Sequence, residues 1–149
     1  MRHLIACALA AGLFVTGCGQ KPVEHVTDAI VRLPAVTGSP GAAYFILHGG
    51  PAENRLMNVS SPQVIRVELH DNIMAGGMMK MTPLDAGVTV TSGGQVAFTP
   101  GGKHAMLFDI NPAVKAGGAV ELRFAYANGR TISAIAKVVA AGDVGTHEH

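Results

Sequence analysis

From Val64 to His70 the chain alternates strictly, with Ile65, Val67 and Leu69 on one side and Arg66, Glu68 and His70 on the other. Period-two alternation of this kind predicts a half-buried β-strand. Other stretches of strand length are bounded by turn residues. His25 to Leu33 alternates loosely. Ala42 to His48 is mostly apolar and flanked by glycine. Arg55 to Ser60, Val88 to Thr91, Val96 to Thr99 and His104 to Ile110 are further short strands. Ser92 to Gln95 is expected to join the two in the middle of that series. Val120 to Ala127 and Arg130 to Val139 form a hairpin about Asn128-Gly129, a strong turn signal. Asp71 to Met81, with Gly76-Gly77 at its middle, reads as a loop. Long helical periodicity is missing. The expected fold is all-β, an antiparallel β-sandwich or barrel of about eight or nine short strands.

The start of the chain has a different pattern. Leu4 to Val15 is an apolar run of h-region length, too short for a stable membrane span. It ends in Val15-Thr16-Gly17-Cys18, which resembles a bacterial lipobox, with Val15 where leucine is commoner. The expected organisation is a signal peptide over 1–17, a lipidated Cys18 with a tether over 18–24, one domain over 25–140 and a polar tail over 141–149. The chain is expected in the periplasm or cell envelope, anchored to a membrane through the lipid. Gly19 after the cysteine points weakly to the outer membrane.

Composition narrows the chemistry. At 48% apolar and 14% charged residues the chain is not disordered. Its 11 basic residues nearly balance 10 acidic ones, so there is no basic field for nucleic acid. The only cysteines are Cys7 and Cys18. The domain itself therefore has no disulfide, no thiolate metal site and no cysteine nucleophile. Ser-His-Asp spacing, a paired-carboxylate cluster and a phosphate-binding glycine loop are likewise missing, so no enzymatic activity is expected.

What remains is histidine and methionine. Setting Met1 and His3 aside, the seven of each become six. Met74, Met78, Met79 and Met81 crowd into eight positions. Met74 alone reads better as an adaptable core filler than as a ligand. His70 lies on the polar side of its strand. His104 and Met106 are two apart on a strand, so they share a face. Taken alone, Met106 reads as core and His104 as an edge residue. Taken together with His70 and Met81, they make a soft donor set that suits Cu(I) and poorly suits oxygen-seeking cations. Thioethers also survive in an oxidising compartment and need no deprotonation.

Ten residues separate His70 from Met81, and His104-Ala105-Met106 follows after twenty-two more. This pattern resembles the PCuAC family of periplasmic copper chaperones, whose second interval is about twenty-one residues. The resemblance runs from about Gly41 to Val139 and takes in Val67-Glu68-Leu69-His70, Met79-Lys80-Met81 and Pro100-Gly101-Gly102. The extra residue is expected between Ala86 and Gly94, where a loop absorbs it.

The resemblance implies a cupredoxin-like β-sandwich and one Cu(I) held by His70, Met81, His104 and Met106. It implies transfer of copper to an accepting protein, an oxidase CuA subunit or a Sco-type chaperone, by a monomer. His147 and His149, flanking Glu148, offer a secondary site for Cu(II), although a solvated chain end is the simpler reading. His25 and His48 are expected to be structural. Two other functions fit the sequence: a copper buffer or resistance lipoprotein, and an envelope interaction module that binds no metal.

Overall fold

The computed structural model describes residues 19–143. Within them the chain is all-β, with ten strands. They are β1 (His25–Arg32), β2 (Gly41–His48), β3 (Asn54–Ser60), β4 (Val64–Ala75), β5 (Met78–Pro83), β6 (Val88–Val90), β7 (Gln95–Phe98), β8 (His104–Ile110), β9 (Ala119–Tyr126) and β10 (Thr131–Val139). Hydrogen bonding links them in the order β5-β4-β8-β2-β1-β10-β9-β3-β6, with β7 also on β2. All pairings are antiparallel except β1 with β10, which run parallel.

Strand β2 organises the structure because it is divided lengthwise. Gly41 to Ala43 pair with β8, and Phe45 to His48 pair with β7. Its inward residues Ala43, Phe45 and Leu47 are fully buried, and alternate residues are half-buried. Phe45 stacks on Phe98, with ring centroids 4.4 Å apart, and meets Phe124 edge-on at 4.8 Å. Leu56, Leu107, Leu122 and Val138 complete the core around them. Strand β3 packs against β4 without pairing with it, so the ends of the hydrogen-bonded path come together around that core.

Three local expectations change. Asp71 to Met81 is not a loop: β4 runs on to Ala75 and returns as β5. The residues near this tip are exposed on both faces, so the apolar alternation that marks a half-buried strand is missing there. Gly76 and Gly77 carry φ of 60° and 79°, the left-handed pair that a tight two-residue I′ turn requires. Second, the link expected over Ser92 to Gln95 shifts by one residue, because Thr91 lies outside β6 and Gln95 already belongs to β7. The turn between β6 and β7 carries the chain from a partner on β3 to a partner on β2. Third, Ile65 is 83% exposed. The alternation continues there, but the core beneath it has ended.

Candidate metal centre

Three neighbouring strands, β5, β4 and β8, carry the residues of interest. Directly opposed residues in an antiparallel pair share a face, as do residues two apart on one strand. His70 opposes His104, and Glu68 opposes Met106. Asn72, two residues beyond His70, opposes Met81. His70, Met81, His104 and Met106 therefore occupy one face of the sheet. It is the outer face, because Leu69, Ala105 and Leu107 of the same strands enter the core. Met81 is a diagonal neighbour of His70, a separation of ~7–8 Å between strands that a long thioether side chain spans.

The two histidines are set differently. The rings of His70 and His104 stand 5.9 Å apart, edge to face at 71°. His104 is only 8% exposed. Its Nδ1 lies 2.9 Å from the carbonyl oxygen of Gly102, so a proton donated there leaves the Nε2 lone pair free. The Nε2 of His70 lies 3.2 Å from Glu68 Oε2. Its Nδ1 is buried with no hydrogen-bond partner among the described residues. An unpartnered buried nitrogen costs free energy unless something else engages it, and a ligand nitrogen has that character. Burial first, and then the neighbouring His104, hold the His70 imidazole below its ordinary range, against the opposing pull of Asp85. The neutral ring that results is the form able to bind a metal.

Charged neighbours fix the frame. Lys103 Nζ reaches Asp71 Oδ2 at 2.7 Å, tying the residue before His104 to the residue after His70. Arg66 pairs with Glu68 and lies 3.9 Å above the Phe108 ring. Glu68, Asp71 and Lys103 were not singled out from the sequence. For Glu68 the signal was present, since it alternates two positions before His70 on the same strand.

Among the described residues no three His, Cys, Asp or Glu side chains cluster as a metal site. A centre here therefore depends on the thioethers. Met81 is 47% exposed and Met106 partly buried, so one donor is open to solvent while His104 is enclosed. Met74 is not a core filler: it is 65% exposed on the hairpin. His25 and His48 stack at 4.2 Å, and His48 is held by Thr27 and Gln95 at 2.9 and 3.0 Å. This pair stands apart from the centre and closes the end of β1 against β2. Cys18, His147 and His149 lie outside the described residues.

Over residues 25–138 the sequence matches the LpqE-like lipoprotein family. The chain belongs to that family. Among solved structures, this LpqE-like chain superposes on a copper-bound PCuAC domain from PmoF2 with a TM-score of 0.63 at 20% identity. The match covers 79% of this chain and 98% of that one. The solution structure of CuI-DR1885 from Deinococcus radiodurans gives a TM-score of 0.58 at 25% identity, over 80% of this chain and 78% of that one. The LpqE-like fold is thus the PCuAC, cupredoxin-like fold that the sequence resemblance implies. A curated relative, the uncharacterised protein RP573 of Rickettsia prowazekii (strain Madrid E), is 31% identical over 87 residues. That stretch is 58% of this chain and about half, 48%, of the relative.

Proposed function

We propose that this LpqE-like protein is an extracytoplasmic carrier of one Cu(I) ion, bound by His70, Met81, His104 and Met106, and that it hands the ion to an accepting protein. The observation that carries this reading is the strand register, which brings all four residues to one face of β5, β4 and β8. Two imidazoles and two thioethers form a soft, uncharged donor set suited to Cu(I). The copper-bound PCuAC domain of PmoF2 and CuI-DR1885, which share the fold, support the choice of ion.

The geometry favours transfer over turnover. His104 is enclosed and positioned by Gly102, whereas Met81 stands half in solvent. An acceptor can place a ligand on the open side before the enclosed histidine lets go. The ion then never becomes free, and no bond of a substrate is made or broken. The acceptor proposed is an oxidase CuA subunit or a Sco-type chaperone. Cys18 is the proposed lipid attachment, holding the domain at an envelope membrane, and His147 and His149 a secondary Cu(II) position.

The test is a Cu(I) titration of the chain against a coloured chelator under reducing conditions, beside the Met81→Leu, Met106→Leu double variant. One equivalent held by the wild type and lost by a folded variant is the expected result. Equal retention by both proteins, or none by either, would dismiss the centre.

A further inference from the structure

The β4–β5 hairpin carries more thioether than the proposed centre uses. Met74 and Met79 are directly opposed, one pair in from the Ala75–Met78 pair that closes the turn. Met79 and Met81 are two apart on β5, so Met74, Met79 and Met81 share the face that carries His70. Met78, opposed to Ala75, is on the other face, as is Lys80, opposed to Ile73. The positive charge of Lys80 thus projects from the side away from the three sulfurs.

Packing does not explain these side chains. Met74 is 65%, Met79 57% and Met81 47% exposed. A thioether gains little from water, and a cluster of exposed large apolar side chains is an informative feature of a surface. Their arrangement is also held in place. The two-residue turn at Gly76-Gly77 fixes the register, so Met74 and Met79 oppose each other with Cβ atoms ~4.5–5.5 Å apart. Each side chain has three rotatable bonds with which to bring its sulfur to a common point.

We propose that Met74 and Met79 form a second Cu(I) site at the hairpin tip and share Met81 with the centre, giving the ion a stepwise path along one face of the sheet. The path to the centre rests on the Cu(I)-carrier reading above. The tip offers thioethers only, without the imidazoles, so it binds more weakly and exchanges faster than the centre. Its donors carry no proton, so occupancy is independent of pH where the centre's is not. The same donors select soft monovalent ions over Cu(II) or Zn(II). Copper stays Cu(I) throughout, and each step exchanges one sulfur for another.

The test labels the methionine methyl groups of the full chain with carbon-13 and titrates Cu(I), supplied as its acetonitrile complex, under reducing conditions. The first equivalent is expected to shift Met81 and Met106, and further Cu(I) to shift Met74 and Met79 while Met78 stays in place. The Met74→Leu, Met79→Leu variant, close in volume, is expected to keep the first event and lose the second. Met74 and Met79 unmoved in excess Cu(I), or Met78 moving as far as Met79, would overturn the proposal. A shift of Met74 and Met79 with Met106 unmoved would uphold the tip site and remove the centre, so the two readings fail separately.

Discussion

His70 and His104 are direct partners across β4 and β8, and their rings meet edge to face 5.9 Å apart. Two imidazoles this close cannot both protonate without repulsion. Burial and the His104 neighbour keep the folded-state pKa of His70 below the ordinary 6.5. The unfolded chain takes up a proton at His70 that the folded chain accepts only at lower pH. Stability from this group is therefore fully present above pH ~6.5 and lost as pH falls through the folded value. His48 is shifted in the same direction, by burial and by His25. The urea midpoint of the metal-free chain is expected to drop between pH ~7 and ~5, and His70→Gln to flatten part of that slope. An imidazole NMR titration giving His70 a midpoint at or above 6.5 would contradict the assignment.

The Lys103–Asp71 pair bridges the two strands that supply the histidines. Both side chains are partly exposed, so the pair adds only ~0.2–1 kcal/mol to stability. Its larger effect falls on where β8 begins. Lys103→Met is expected to leave the thermal midpoint nearly unchanged and to weaken Cu(I) retention by up to about fivefold, the ratio that ~1 kcal/mol represents. Competition against a chelator measures this. A variant with unchanged retention would show that the backbone alone sets the position of His104.

Sequence patterning reveals most of the strands for a physical reason: one face of each is buried, and burial enforces alternation. Val120 to Ala127 and its partner around Asn128-Gly129 are clear on that basis. The same rule explains what is hidden. Strand β5 and the end of β4 stand clear of the core, so nothing there demands alternation, and four methionines around two glycines read as a loop. The parallel pairing of β1 with β10 joins the two ends of the domain, and no local pattern encodes it. The burial of His104 is similarly hidden, since it lies on the outer face of its strand. The proposed ligands themselves stand out in sequence because their residue types are unusual together. The common face on which the proposed site rests needs the register, and the register needs the I′ turn at Gly76-Gly77.

Phe45 sits where β2 is divided between β7 and β8, between the rings of Phe98 and Phe124. It is 1% exposed. Phe45→Ala removes a large side chain from a site that three strands hold open, so partial collapse cannot fill it. The expected loss is ~3–5 kcal/mol, which leaves little of a small domain's stability. Ile65→Ala, at a position 83% exposed, is expected to change stability by less than ~0.5 kcal/mol. Denaturant unfolding of the two variants compares a core position with one that alternation alone would also place in the core. Similar losses in both would mean that the sheet curls further than described.

Tyr126 is 4% exposed, and its hydroxyl has no hydrogen-bond partner among the described residues. The buried carboxylate of Glu24 is held by Asn54 Nδ2 at 2.6 Å and approached by Arg130 Nη1 at 3.3 Å. Burial first, and then the charge of Glu24, push the phenol up to about 12, with Arg130 pulling the other way. In the unfolded chain the phenol ionises near pH ~10. Between those values the folded state holds a proton that the unfolded state releases, so stability from this group is present below pH ~10 and lost as pH rises toward 12. Tyr126→Phe removes both effects. Leaving a buried hydroxyl unpaired costs ~1–3 kcal/mol, so the variant is expected to be at least as stable as the wild type at neutral pH. It is expected to be clearly more stable above pH ~10, because the wild type alone loses stability there. The chain has two tyrosines, so the difference between wild-type and variant ultraviolet titrations isolates Tyr126, with an expected midpoint of about 12. A midpoint near 10 would mean that solvent reaches the hydroxyl, and a variant less stable than the wild type would mean that the hydroxyl donates to a partner, with Glu24 anchoring the start of β1 through it.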